Sequence, residues 1–184
     1  IYDMAVQTDG KIIVAGNRIK DINHDNLTSF TVRYMPDGSL DKSFGKKGIA
    51  LTSYSDNIDI TSVALQPDGK IIVGGKYKTY GDFMLLRYQQ DGSLDSSFGG
   101  DGIIGYDFGA DIGDLFALAV QPDGKILAAG EKGLRVTNMV IVRFTTTGAV
   151  DTSFGGNKGY TSRFFDNGTS HISTVLMQDD GKIL

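Results

Sequence analysis

The stretch Ala64-Leu65-Gln66-Pro67-Asp68-Gly69-Lys70-Ile71-Ile72-Val73-Gly74-Gly75 decides the fold. It is two apolar runs joined at a turn. Pro67 presets φ, Asp68 can bond the local backbone, and Gly69 takes the left-handed position. The chain holds 3 prolines, Pro36, Pro67 and Pro122, and each stands directly before a turn pair: Asp-Gly in every case. Proline here serves turns.

Working outward, the Asp-Gly-Lys landmark recurs at Asp9-Gly10-Lys11, Asp123-Gly124-Lys125 and Asp180-Gly181-Lys182, at spacings of 59, 55 and 57 residues. Ser-Phe-Gly recurs at Ser43-Phe44-Gly45, Ser97-Phe98-Gly99 and Ser153-Phe154-Gly155. An Arg followed by an aromatic falls at Arg33-Tyr34, Arg87-Tyr88 and Arg143-Phe144. Three landmarks in one order, three times over, define an internal repeat. The repeats run approximately over 1–56, 57–111 and 112–168, with an incomplete one at 169–184.

Each repeat reads as four strands, best seen in the second: Ile60 to Gln66, Lys70 to Lys76, Phe83 to Gln89 and Ile103 to Phe108. In the first strand the equivalent sets are Met4, Val63, Leu118, Val175; Ala5, Ala64, Ala119, Leu176; and Val6, Leu65, Val120, Met177. Neighbouring residues point to opposite faces of a strand, so one face is mostly small, the other large, and both are apolar. No helical period is present to supply covers. Sheets covered on both sides by other sheets imply a β-propeller. The expected fold is all-β, with about three complete four-stranded blades and the start of a fourth. A ring of about seven such blades would need roughly 390 residues, so the chain is expected to be part of a larger propeller. It starts at Ile1 with no initiator Met or signal peptide, so natural ends are expected beyond it.

The repeat resembles the delta-60 repeat family of bacterial proteins over the whole chain. That resemblance implies a propeller-like domain in large, often exported or surface-attached proteins, with no established activity. It carries over no catalytic or binding residues. The third repeat departs from the pattern at Thr147-Gly148-Ala149, where the others have Asp-Gly-Ser.

Bulk properties narrow the function. The net charge of -4 gives no basic footprint for nucleic acid. No stretch approaches the roughly 20 apolar residues that insert in a bilayer. With 0 cysteines there is no disulfide framework and no thiolate metal site. No phosphate-cradling loop occurs, because the glycine-rich segments precede strands.

Residues kept in every blade read as structural. Arg33, Arg87 and Arg143 are expected to pair with Asp41, Asp95 and Asp151, tying the third strand to the following loop. Phe44, Phe98 and Phe154 are expected to plug the space between blades. Gly10, Gly69 and Gly124 are expected at positive φ in hairpin turns. Asp37 and Asp41, like Asp91 and Asp95, stand two to a loop with Ser between them, a spacing faintly like calcium loops. Local turn bonding accounts for it better, and no metal or cofactor is expected. His24 sits in an insertion, Ile19 to Asp25, and His171 in another repeat, with no motif around either. Asn26-Leu27-Thr28 and Asn167-Gly168-Thr169 match a glycosylation sequon, of weight only in a eukaryotic secretory route.

The resulting expectation is a non-enzymatic structural or interaction module of an exported or cell-surface protein. Its propeller loops would bind a protein or a glycan, or the rest of its own chain. One alternative is a carbohydrate-active propeller enzyme using carboxylates such as Asp107, Asp111 and Asp114. Another is cargo or an accessory subunit of a secretion apparatus. Clustered carboxylates and an Arg around the central channel would favour the enzyme.

Overall fold

A computed structural model describes residues 1–19, 27–53, 58–77, 82–109, 111–134, 136–164, 169–178 and 180–184, with Ile19 and Leu27 by backbone alone. His24 with the body of its insertion, and the sequon residues Asn26 and Asn167, lie outside the described residues.

Twelve strands are described, four to a sheet. The first sheet holds β1 (Asp3–Val6), β2 (Ile12–Ile19), β3 (Leu27–Tyr34) and β4 (Ile49–Thr52). The second holds β5 (Ile58–Leu65), β6 (Ile71–Tyr77), β7 (Phe83–Tyr88) and β8 (Ile103–Tyr106), and the third β9 (Gly113–Val120), β10 (Ile126–Lys132), β11 (Asn138–Phe144) and β12 (Tyr160–Arg163). In each, sequential strands pair antiparallel in simple meander order. These are three propeller blades. A fourth hairpin begins at the C-terminal end, where Leu176 and Leu184 exchange backbone hydrogen bonds of 2.9 Å around the Asp180-Gly181-Lys182 turn.

The Asp-Gly-Lys turns close alike. Gly10, Gly69 and Gly124 lie at φ of 82, 81 and 81°, where an L side chain would be penalised. Asp9, Asp68 and Asp123 each accept the backbone N–H of the Lys two residues on.

The two-faced apolar pattern is explained by alternate packing. From β6, Ile71 and Val73 join the core between the first two blades, while Ile72 joins the core between the second and third. From β7, Met84, Leu86 and Tyr88 go to the first core, and Phe83 and Leu85 to the second. Both faces of one sheet are therefore interior. Each fully buried side chain of this size contributes about 1.5–3 kcal/mol. The innermost strands divide likewise: Val63, Leu118 and Val175 point to the preceding blade, and Ala5, Ala64 and Ala119 to the following one.

Inner strands β5 and β9 carry a bulge that the sequence pattern did not announce. The register of β5 shifts between Ile60 and Ser62, and that of the β9–β10 pair between Ala129 and Gly130. The extra residue reaches the next unit: Thr61 donates its hydroxyl to the Leu115 carbonyl at 2.7 Å, and Phe116 meets the His171 ring edge-on at 5.7 Å. Opposite each bulge only glycine fits. A Cβ on Gly75 would lie 2.0 Å from the Asp59 carbonyl oxygen, and one on Gly130 1.9 Å from that of Asp114.

Candidate functional site

The three sequence landmarks meet in one cluster per blade. Arg33 leaves β3 and places Nε 2.8 Å from Asp41 Oδ2; Lys11, from the Asp-Gly-Lys turn, approaches the same oxygen at 3.3 Å. The other oxygen, Asp41 Oδ1, accepts from Ser43 N–H and Ser43 Oγ at 3.0 and 2.6 Å. In the third blade Arg143 Nε stands 2.9 Å, and Lys125 Nζ 3.2 Å, from Asp151 Oδ2, with Ser153 on Oδ1. In the second, Arg87 Nε and Asp95 Oδ2 are 2.7 Å apart and Lys70 Nζ is 3.2 Å from that oxygen. There the Arg–Asp contact is close but misaligned for a hydrogen bond, so charge rather than direction holds it.

Each guanidinium also stacks on the aromatic of its own loop: Arg33 over Phe44 at 4.7 Å, Arg87 over Phe98 at 4.5 Å, Arg143 over Phe154 at 4.6 Å. Such cation–π contacts contribute about 0.5–2 kcal/mol, more when water is excluded. Phe44 and Phe98 are fully buried, whereas Phe154 is half-buried.

The cluster reaches across to the following blade. Arg33 Nη1 donates to the Gln90 carbonyl, and Arg87 Nη1 to the Thr146 carbonyl. Gly45 N–H donates to Asp91 O at 2.7 Å and Gly99 N–H to Thr147 O at 3.3 Å. Further in, Asp3 Oδ2 accepts from Ser62 Oγ and Val63 N–H, and Ser62 Oγ accepts from Leu118 N–H. The third repeat has Ala117 at the place of Asp3 and Ser62 and cannot extend that chain.

The carboxylates titrate accordingly. Hydrogen bonds from Ser43 hold Asp41 well below the ordinary range, against burial and with help from Lys11 and Arg33. Ser153, Lys125 and Arg143 do the same for Asp151. For Asp95 burial is the largest influence and acts upward, yet Ser97, Lys70 and Arg87 together bring it down to about 2. A depressed folded-state value means stability that is full above the unfolded value near 3.9 and lost as pH falls through the folded values. The melting temperature should therefore fall steeply between about pH 4 and about pH 2, followed by circular dichroism. Asp95→Asn should flatten the slope; an unchanged midpoint down to pH 2 would contradict the assignment.

The four loop carboxylates considered for calcium do not converge. Asp37 and Asp91 each accept from the N–H and hydroxyl of Ser39 and Ser93, while Asp41 and Asp95 face the Arg–Lys cluster. Among the described residues no group of three acidic or histidine side chains is placed to share a metal ion. Of the carboxylates considered for catalysis, Asp114 pairs with Lys76 at 2.7 Å and Asp111 with Lys132 at 3.2 Å. Asp107 accepts from Gly109 N–H. Asp82, which no sequence signal singled out, is pushed upward by burial and by the charge of Asp107, against a bond from Phe108 N–H.

At one end of the common axis Val6, Leu65, Val120 and Met177 converge on an open cavity of about 520 Å³, completed by Thr8, Gln66, Gln121, Gln178 and the turn prolines Pro67 and Pro122. Among the described residues no charged side chain lines it. A second cavity of about 400 Å³ opens between the turns of the second and third blades, beside Lys70, Arg87, Ser97, Asp68 and Asp123.

Sequence comparison adds the family. The sequence model described as "Domain of unknown function (DUF5122) beta-propeller" matches residues 7–44, 66–98 and 121–154, more than half of the chain. The chain belongs to this family. The three matched segments of the DUF5122 propeller each run from an Asp-Gly-Lys turn to a Ser-Phe-Gly loop, so the family pattern spans the cluster just described. No curated protein matches it in sequence. Among solved structures, virginiamycin B lyase from Staphylococcus aureus is similar over 99% of this chain and 47% of its own, with 14% identity and a TM-score of 0.52. A "putative gluconolactonase" is similar over 96% of this chain and 50% of its own, with 14% identity and a TM-score of 0.44. The chain thus spans about half the length of these structures, and the lyase likeness is one of fold.

Proposed function

We propose that this DUF5122 propeller is a non-enzymatic structural and interaction module whose loops and open blade faces take another protein or a glycan. One observation carries the reading: the charged set fixed by the repeat is consumed in joining blades. Arg33 and Arg87 each serve their own Asp, their own Phe and a carbonyl of the next blade. The axial cavity, lined among the described residues by apolar and uncharged polar side chains, and the lysine partners of Asp111 and Asp114 agree with it. Exposed Met4, Val6, Leu51 and Leu176, each 57–64% accessible, offer apolar surface to a partner. The cleft beside Lys70 and Arg87 offers both donors and acceptors, which suits glycan hydroxyls. Resemblance to the delta-60 repeat supports an exported or surface-attached setting.

The test is turnover on a panel of polysaccharides and chromogenic glycosides, for the parent chain and for Asp82→Asn. The expected result is no product above buffer with either. Hydrolysis that drops by about a hundredfold or more in Asp82→Asn would reveal general acid–base chemistry and overturn the proposal.

A further inference from the structure

The two joints between complete blades differ at their turn ends. In the first, the Gln90 side chain spans the turn of the second blade: its Nε2 donates to the Asp68 carbonyl at 2.8 Å and lies 2.6 Å from where a Gly69 Cβ would be. Thr146 holds the same place in the third repeat, with Cγ2 3.0 Å from the corresponding point on Gly124 and no amide to cross the turn. Here, between two four-stranded sheets, lies the open cavity of about 400 Å³. Small-ligand sites measure about 300–1,000 Å³. Donors and acceptors both line it. Lys70 has three N–H groups and two carboxylates near it, Asp68 at 3.4 Å and Asp95 at 3.2 Å, so one donor is left over. Arg87 commits Nη1 to the Thr146 carbonyl and Nη2 to Ser97 Oγ at 2.9 Å, and each Nη carries a second N–H. On the acceptor side, Asp68 and Asp123 each take one backbone N–H, from Lys70 and Lys125, and both side chains are 55% accessible. The rings of Pro67 and Pro122 supply apolar lining.

We propose that this cavity seats one neutral hexopyranose ring at the end of a glycan chain. The inference rests on the binding reading above and narrows it to one site and one class of ligand. Vicinal hydroxyls donate and accept at once, so they can serve Asp68 or Asp123 while taking the spare N–H groups of Lys70 and Arg87. The C–H face of the ring rests on proline, and the open side lets the rest of the chain run out to solvent. The local charge selects against an acidic sugar. Lys70 and Arg87 stand among three carboxylates, Asp68, Asp95 and Asp123, so a uronate would add to a negative excess.

The probes are four neutral trisaccharides ending in glucose, galactose, mannose and N-acetylglucosamine, with a glucuronate-ended trisaccharide as the charged control. Each is titrated with the full chain and read by saturation-transfer NMR. At least one neutral probe should bind saturably, and the charged one about tenfold or more weakly. Thr146→Gln copies the residue of the first joint into the second; it should weaken binding about tenfold or more and leave the melting midpoint in place. Asp123→Asn, at an exposed position, should weaken binding about threefold or more by exchanging a charged acceptor for a neutral one. That arm decides if Thr146→Gln misfolds. No saturable binding by any neutral probe, tighter binding of the glucuronate probe, or binding indifferent to both variants overturns the site. In the last case the sugar binds elsewhere, so the site falls and the binding reading stands. Cleavage of a bound probe, suppressed by Thr146→Gln, would keep the site and overturn the non-enzymatic reading.

Discussion

Arg87→Ala should lower stability by about 3–5 kcal/mol, because it strands the buried Asp95 carboxylate without its main counter-charge. For a chain of this size that corresponds to a melting midpoint lower by roughly 6–20 °C. Asp95 is 2% accessible, so water cannot replace the guanidinium, and Lys70 at 3.2 Å is the one cation left beside it among the described residues. The same substitution removes the donor to the Thr146 carbonyl and the charge over Phe98. Arg33→Ala should behave alike, since Arg33 is buried on Asp41 and donates to Gln90. Arg143→Ala should cost clearly less: its surroundings are wetter and no carbonyl among the described residues depends on it. Replacing both partners, as Arg87→Met with Asp95→Leu, should recover much of the loss, because an apolar pair carries no desolvation penalty. Equal midpoints for Arg87→Ala and the parent would remove the Arg–Asp cluster from the account of how blades are held.

Phe98→Ala should be the second large effect, at about 3–5 kcal/mol. The ring is fully buried, has Arg87 on one face, and lies against Gly148 of the next blade. Truncation removes the transfer energy of the ring and leaves a cavity that the flanking sheets cannot close, since each is fixed by its own hydrogen-bonded ladder. Phe44→Ala should match it. Phe154→Ala should cost about half as much or less, because half-burial leaves less transfer energy to lose. Urea denaturation of the three variants orders them directly. A Phe154→Ala loss equal to that of Phe98→Ala would mean that Phe154 is sealed in solution by something beyond the described residues.

The contrast between what the sequence announced and what it hid follows from how each role is encoded. Arg33, Asp41 and Phe44 were legible because their side chains do the same task in each blade, so they recur as letters. The bulk pattern of β5 to β7 was legible because strands buried on two faces must be apolar on both. The lysine of Asp-Gly-Lys recurs just as strictly, yet its reach to Asp41, Asp95 or Asp151 was not read, because it looks like ordinary turn chemistry. The acceptors for Arg33 and Arg87 left no trace at all. They are main-chain carbonyls, of Gln90 in one joint and Thr146 in the other, and a carbonyl needs no particular side chain.

That also explains the irregular third repeat. Thr147 and Ala149 give up the Asp–Ser bonding seen at Asp37–Ser39 and Asp91–Ser93, but the joint uses only the backbone there. Gly148 is kept, at φ +92° with the Phe98 ring 2.9–3.0 Å from where its Cβ would be. Asp3 and Ser62 were missed for the opposite reason: two different side chains share one task, and alanine replaces them at 117.

Each joint described here links a residue to one in the following unit, and always in the same direction. Arg33 acts on Gln90, Arg87 on Thr146, Thr61 on Leu115, Asp3 on Val63. Such wiring is indifferent to how many units stand in the row. Tandem duplication or loss of one whole unit splices like onto like and leaves each contact with a proper partner, wherever the cut falls, provided the lost or gained length is a full period. A cut of half a period would instead set arginines against strands that carry no matching turn. A gene built this way can gain or lose a whole unit without breaking the pattern of contacts between the units that remain neighbours.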